Sequence, residues 1–241
     1  ADSLEVAKHS AGAAAAIARA IGAGAVQRGV ALGRPPGHHA THSGGMGFCI
    51  YNNIAVAAEV LRDAGIERVA IIDWDVHHGN GTQDIFYERS DVFFVSIHQV
   101  PLYPGSGAAN ERGIGDGDGY TLNLPLRAGA GDETYLDLFD ESIAPAVRRY
   151  QPEAIMISAG FDAHRRDPLG GMRISDRGFA ALTERAIALA DDVADGRIGA
   201  VLEGGYDVDA LARSVEAMIR VFDGATVDEA VAALDPSESE Q

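Results

Sequence analysis

Short apolar runs at 68–76, 92–98, 154–158 and 198–202 alternate with longer stretches of helical character, and this alternation constrains the fold more than any other feature. VFFVSIH at 92–98 shows no polar alternation, as expected of a strand covered on both faces, whereas YTLNLPL at 120–126 alternates and reads as a weaker strand. Helical patterns occupy 3–28, 49–64 (ended by Gly65), 81–89, 132–150, 175–195 and 207–223. A short strand in GVALGRPPGHHA stops at Pro35 and Pro36. Strands alternating with helices predict an α/β fold, a parallel sheet with helices on both faces, in a single domain over residues 1–241. TVDEAVAALDPSESEQ closes with a short helix and, from 234 to 241, a polar tail expected to be disordered.

One strand is anomalous. In IIDWDVHHGNG, residues 71–81, Asp73, Asp75 and His77 occupy every second position of a hydrophobic run. Extended backbone sends these three to one face and Ile72, Trp74 and Val76 to the other. A buried cluster of two carboxylates and an imidazole requires a cation, hydrogen bonds, or both.

Composition narrows the partners. Nineteen basic against 36 acidic residues give a net charge of −17, which disfavours direct nucleic-acid binding and favours cationic substrates. Lys8 is the sole lysine, and the Ala-, Gly- and Arg-rich composition fits a GC-rich bacterial genome, although the excess acid also suits a halophile's surface. The apolar stretches are too short to span a membrane, and neither a signal peptide nor an anchor is expected. Cys49 is a lone cysteine, read as a core residue and consistent with a reducing cytoplasm. GIGDGDGY at 113–120 reads as a surface turn, since Arg127 stands where a calcium loop needs glutamate.

Ligands of open parallel sheets bind beyond the carboxyl ends of the strands. Four such positions carry chemistry: His38 and His39, Asp75 and His77, Asp162 in SAGFDAH, and Tyr206 in LEGGYD. Asp75, His77 and Asp162 form a three-donor set suited to a divalent catalytic metal; Zn²⁺ fits, and two carboxylates make Fe²⁺ a plausible occupant too. Asp73 is placed behind them as an acceptor. His38 and His39 suit general acid and base work, with Asn80 or Asp73 to orient their rings, and the Tyr206 phenol can donate to a developing oxyanion.

RPPGHHA, GFCIYNN, DWDVHHGNGTQ, VSIHQVPLYPGSG, SAGFDAHRRDPLGGM and LEGGYD together resemble the histone deacetylase family, in particular its class II branch and the bacterial histone-deacetylase-like amidohydrolases. The resemblance runs from about residue 30 to 222. It implies the arginase/deacetylase fold with an eight-stranded parallel sheet, and hydrolysis of acetyl-lysine-type amides to acetate and a free amine. It places metal ligands on Asp75, His77 and Asp162, a proton shuttle on His39, an electrostatic partner on His38, and a carbonyl-polarising phenol on Tyr206. Phe48 and Tyr103 become walls of an acyl-lysine channel, and Gly47 an acceptor for the substrate amide. A structural K⁺ site would use Asp73, Ser96 and carbonyls of Asp75, His77 and Ile97; a second would use carbonyls near Phe86, Arg89 and Val92.

Differences within the motifs refine the expectation. Asn80 is the class II form where class I relatives have aspartate, and Leu169 replaces the acidic gatekeeper of polyamine-specific relatives. Gly79 and His164 stand where binuclear manganese relatives carry acids, so one metal is expected. Relative to the family the chain starts after an upstream segment holding the first strand and one rim of the pocket; either the sequence is a fragment or something else covers that sheet position, and a strand edge left uncovered would invite pairing with another chain, so a homo-oligomer is open. Acetylpolyamine or other small-amide deacetylation, and non-catalytic binding of acetylated ligands, are the alternatives.

Overall fold

The structure is a computed structural model and describes residues 2–234; the expected polar tail, from 235 onward, lies outside the described residues. Six strands pair throughout in parallel: β1 (Arg28–Ala31), β2 (Val69–Asp73), β3 (Val92–Gln99), β4 (Thr121–Leu126), β5 (Ala154–Ala159) and β6 (Ile198–Leu202). Their order is β1-β6-β5-β2-β3-β4, which leaves β1 and β4 as edges. The resemblance implied eight strands; six are present among the described residues.

Strand alternation divides the core in two. Val69, Ile71, Phe94 and Met156 meet α1 (Asp2–Gly22) and α2 (Asn53–Asp63) through Ala14, Ala18, Ile21, Ile54 and Leu61. The small alanines let α1 and α2 pack closely. After β2 comes the short α3 (Asn80–Phe86), and Ile72, Trp74, Val76, Val95, Ile155 and Ala200 face the other way, towards α4 (Asp132–Leu138), α5 (Ala144–Tyr150), α6 (Asp176–Val193), α7 (Val208–Phe222) and α8 (Val227–Ala232). Burial of Trp74, 1% exposed, contributes about 1.5–3 kcal/mol or somewhat more for so large a ring. No helix among the described residues is long and apolar enough to cross a membrane.

Several element boundaries differ from the sequence expectation. The first helix stops at Gly22, six residues early, because the chain must turn into β1. The expected helix over 132–150 is α4 and α5 joined by a π-helical stretch, Phe139–Ile143. β2 ends at Asp73 rather than at residue 76, since carboxylates then capture the backbone: Asp73 Oδ1 accepts from the Asp75 N–H (3.1 Å) and Asp75 Oδ1 from the His77 N–H (2.9 Å). Such Asx-type bonds compete with a strand ladder. The alternation persists nonetheless, with Trp74 and Val76 in the core opposite the carboxylates. The segment 113–120 is a surface turn containing a single 3₁₀ turn, Gly115–Gly117.

Candidate active site

Loops leaving β1, β6, β5 and β2, four neighbours in the sheet, bring together residues far apart in sequence. Asp75 and His77 follow β2, Asp162 follows β5, Tyr206 follows β6 and His38 and His39 follow β1. Asp75, His77 and Asp162 offer donor atoms that all lie within 4.8 Å of one another. His77 Nδ1 stands 3.1 Å from both Asp75 Oδ1 and Asp162 Oδ2. Each carboxylate is aimed by its other oxygen, Asp162 Oδ1 accepting from the Val76 N–H and Asp75 Oδ2 from the Gly204 N–H, both at 2.8 Å. A Cβ on Gly204 would lie 2.1 Å from Asp162 Oδ2, so only glycine fits beside the donors.

These residues fit a divalent ion. Tetrahedral sites with bonds of about 2.0–2.1 Å have donor–donor edges of about 3.3 Å, close to the spacing of the imidazole from each carboxylate. Asp75 and Asp162 are 1% and 0% exposed, and the groups that compensate them are imidazoles rather than lysine or arginine. Burial and the neighbouring Asp75 charge push Asp162 up to about 7, although His77 pulls it down. His77 is raised to about 10, its bonds to Asp162 and Asp75 outweighing desolvation. Two carboxylates thus compete for one imidazole, an imbalance that a dication relieves.

Behind this set the two histidines have different partners. His38 Nδ1 donates to Asp73 Oδ2 (2.9 Å) and His39 Nδ1 to Asn80 Oδ1 (2.7 Å), which resolves the alternatives left by the sequence. The Asn80 amide nitrogen faces Met46 Sδ, so its oxygen faces His39. The tautomer so assigned leaves His39 Nε2 with its lone pair. Desolvation and the adjacent His38 charge push His39 down to about 3. His38 opposes its own desolvation with Asp75 and Asp73 and is raised well above the ordinary imidazole range. The surroundings therefore favour the neutral form of His39 and the charged form of His38, whose ring centroids lie 4.1 Å apart.

A pocket of about 350 Å³ rises from these groups. Gly47, Phe48, Leu102, Tyr103, Leu169 and Tyr206 line it together with His38, His39 and His77. Gly47 needs its positive φ of 58°, and a Cβ there would lie 2.9 Å from the His39 ring. Tyr103 meets the His39 ring edge-on at 5.1 Å, and Phe48 lies 5.9 Å from Tyr206. Burial, then Asp75 and Asp162, raise the Tyr206 phenol above its usual range, which keeps it a neutral donor. Cys49 is buried and its thiol is pushed up to about 12 by desolvation, in keeping with a packing role.

Several supporting residues were not singled out from the sequence. Glu203 Oε2 accepts from the Gly37 and His38 N–H groups (2.6 and 3.1 Å), fixing the histidine loop. Asn53 Nδ2 donates to the Pro35 carbonyl (3.1 Å), and Asn52 caps α2 through the Ala55 N–H while donating to the Ala40 carbonyl (3.0 Å). Asp167 Oδ2 accepts from the Tyr206 N–H (2.6 Å), and its Oδ1 from the Leu169 N–H (2.9 Å). The readable signal was the one Asp73 gave: Glu203 is a carboxylate directly following an apolar strand. Among the residues expected around K⁺, Asp73 and Ser96 are register partners, both 0% exposed, and Ile97 lies in the core. At the second expected position the Phe86 carbonyl accepts from the Arg89 N–H (3.0 Å), just before Val92 opens β3.

The histone deacetylase domain family matches residues 1–222, and the chain belongs to that family. A histone deacetylase-like amidohydrolase of Pseudomonas aeruginosa is 44% identical over 206 residues, covering 85% of this chain and 54% of that protein. The crystal structure of the HDA15 HD domain superposes with a TM-score of 0.87 at 40% identity, over 97% of this chain and 69% of that one. An acetylpolyamine aminohydrolase from Burkholderia pseudomallei gives 0.81 at 38% identity, over 90% and 61%. The chain spans about half the length of the curated relatives it matches.

Proposed function

We propose that the chain is the core of a metal-dependent deacetylase that hydrolyses acetyl-lysine-type amides to acetate and a free amine. The observation that carries this reading is the convergence of Asp75, His77 and Asp162 with a neutral His39 and the Tyr206 phenol at one narrow pocket. A divalent ion, Zn²⁺ first and Fe²⁺ second, would supply Lewis acidity and a lowered water pKa when held by the three donors. His39 accepts the proton of the attacking water at Nε2. Tyr206 donates its hydroxyl to the oxyanion as it develops, and the charged His38 adds to the field there. Gly47 offers its carbonyl to the substrate N–H, while Phe48 and Tyr103 enclose the aliphatic stem. K⁺ beside Asp73 and Ser96 is a structural proposal on the same resemblance.

Leu169 supports an acetyl-lysine-like stem over a polyamine: an apolar residue at the channel suits methylenes and offers a second ammonium no countercharge. Likeness to the acetylpolyamine aminohydrolase keeps that substrate class as the second reading. The ratio of kcat/KM for an acetyl-lysine peptide to that for acetylspermidine decides between them; a ratio above one is expected, and a ratio well below one overturns the choice. Tyr206→Phe should lower kcat by about 10²–10³-fold with metal content unchanged. Turnover at the parent rate would remove the phenol from the chemistry.

A further inference from the structure

The chain's net charge is −17, yet one side of the channel mouth is basic. Arg165, Arg166 and Arg173 surround a hollow of about 470 Å³ floored in part by Gly129, Gly170 and Gly171. Leu169, a channel residue, directly precedes Gly170, and successive Cα atoms are about 3.8 Å apart, so channel and hollow share a rim. Arg166 is neutralised by Asp207 (3.2 Å) and Asp209 (3.5 Å). Arg165 and Arg173 are exposed and have no carboxylate partner among the described residues. Their backbones are fixed: the Arg165 N–H donates to the Ile174 carbonyl (2.9 Å), the Arg173 N–H to Ala130 (2.8 Å) and the Gly129 N–H to Gly171 (2.9 Å).

We infer that Arg165 and Arg173 form a rim subsite for acidic residues flanking the acetylated lysine of a peptide substrate, an inference that rests on the deacetylase reading above. Two unneutralised guanidiniums on bonded neighbouring segments set a local field opposite in sign to that of the whole protein. Their planar fork matches a carboxylate, and the glycines leave room for a peptide backbone between them and the channel. Net charge alone favours cationic substrates, and Asp207 and Asp209 stand beside this rim, but they face Arg166; an acidic flanking residue meets Arg165 and Arg173, which have no carboxylate partner among the described residues. Rim charges act on encounter and on modest affinity.

The test uses the metal-loaded protein and fluorescein-labelled acetyl-lysine peptides with glutamate, uncharged or lysine flanks, their Kd read by anisotropy. The glutamate peptide should bind roughly three- to tenfold tighter than the uncharged one, with the gap shrinking as salt is raised. The double reversal R165E/R173E should invert the order while leaving kcat/KM for a small uncharged acetyl-lysine reporter unchanged. A wild-type preference for the lysine peptide, no preference, or an order unmoved by the double reversal overturns the subsite. If the uncharged reporter is not hydrolysed by the wild type, the deacetylase reading fails, and the binding order still reports on the arginines separately.

Discussion

Glu203 ties the histidine loop to β5: its carboxylate, 0% exposed, accepts from the Gly37 and His38 N–H groups and from the Ser158 hydroxyl. Removing it leaves donors in a place water cannot reach, at about 1–3 kcal/mol for each unsatisfied group. Glu203→Ala should therefore lower unfolding free energy by about 2–4 kcal/mol in denaturant titration, and activity with it; a change within about 0.5 kcal/mol would show that the loop does not depend on it. The donor set was legible because Asp75 and His77 violate the hydrophobic pattern of their strand, and such violations mark function. Glu203 violates it too, but only the fold reveals that its partners are N–H groups 165 and 166 residues away. The pairing of His38 with Asp73 and of His39 with Asn80 was likewise beyond the sequence, because it depends on the crossing of two loops.

Periodicity placed every strand, and helix ends were missed where tertiary bonds set them. Asn52 and Asn53 begin α2 later than its apolar pattern suggests, since both side chains are engaged with the histidine loop. The join between α6 and α7 depends on Asp176, which accepts from Arg213 Nε and Ser214 Oγ, each at 3.0 Å, with His164 Nε2 at 3.5 Å. Desolvation raises this carboxyl, but those three partners outweigh it and hold it at about 2. A folded-state value below the unfolded one, about 3.9, means that its contribution is complete above the unfolded pKa and is lost as pH falls towards 2. Asp176→Asn should lower the melting temperature at neutral pH, and its difference from the wild type should shrink between about pH 4 and pH 2. A constant difference across that window would separate the helix joint from the charge.

At the scale of the molecule, the candidate site residues gather beyond the carboxyl ends of the strands. Parallel strands deliver their carboxyl ends to the same side, so four adjacent loops need no further device to meet. Overall charge was read from composition, but its distribution was not: the basic hollow at Arg165 and Arg173 is assembled by backbone bonds between loops. The number of strands among the described residues, six rather than eight, also came only from the structure. On the proposed function, Asp75, His77 and Asp162 hold the ion on which amide hydrolysis depends. Acetate release from an uncharged acetyl-lysine reporter, followed while metal-stripped protein is titrated with Zn²⁺ or Fe²⁺, tests it most directly. Release should rise with added ion and saturate at about one per chain, and Asp162→Ala should show neither tight uptake nor release. Full release in excess chelator, or an Asp162→Ala protein that matches the parent, would show that hydrolysis does not depend on an ion held by these three residues.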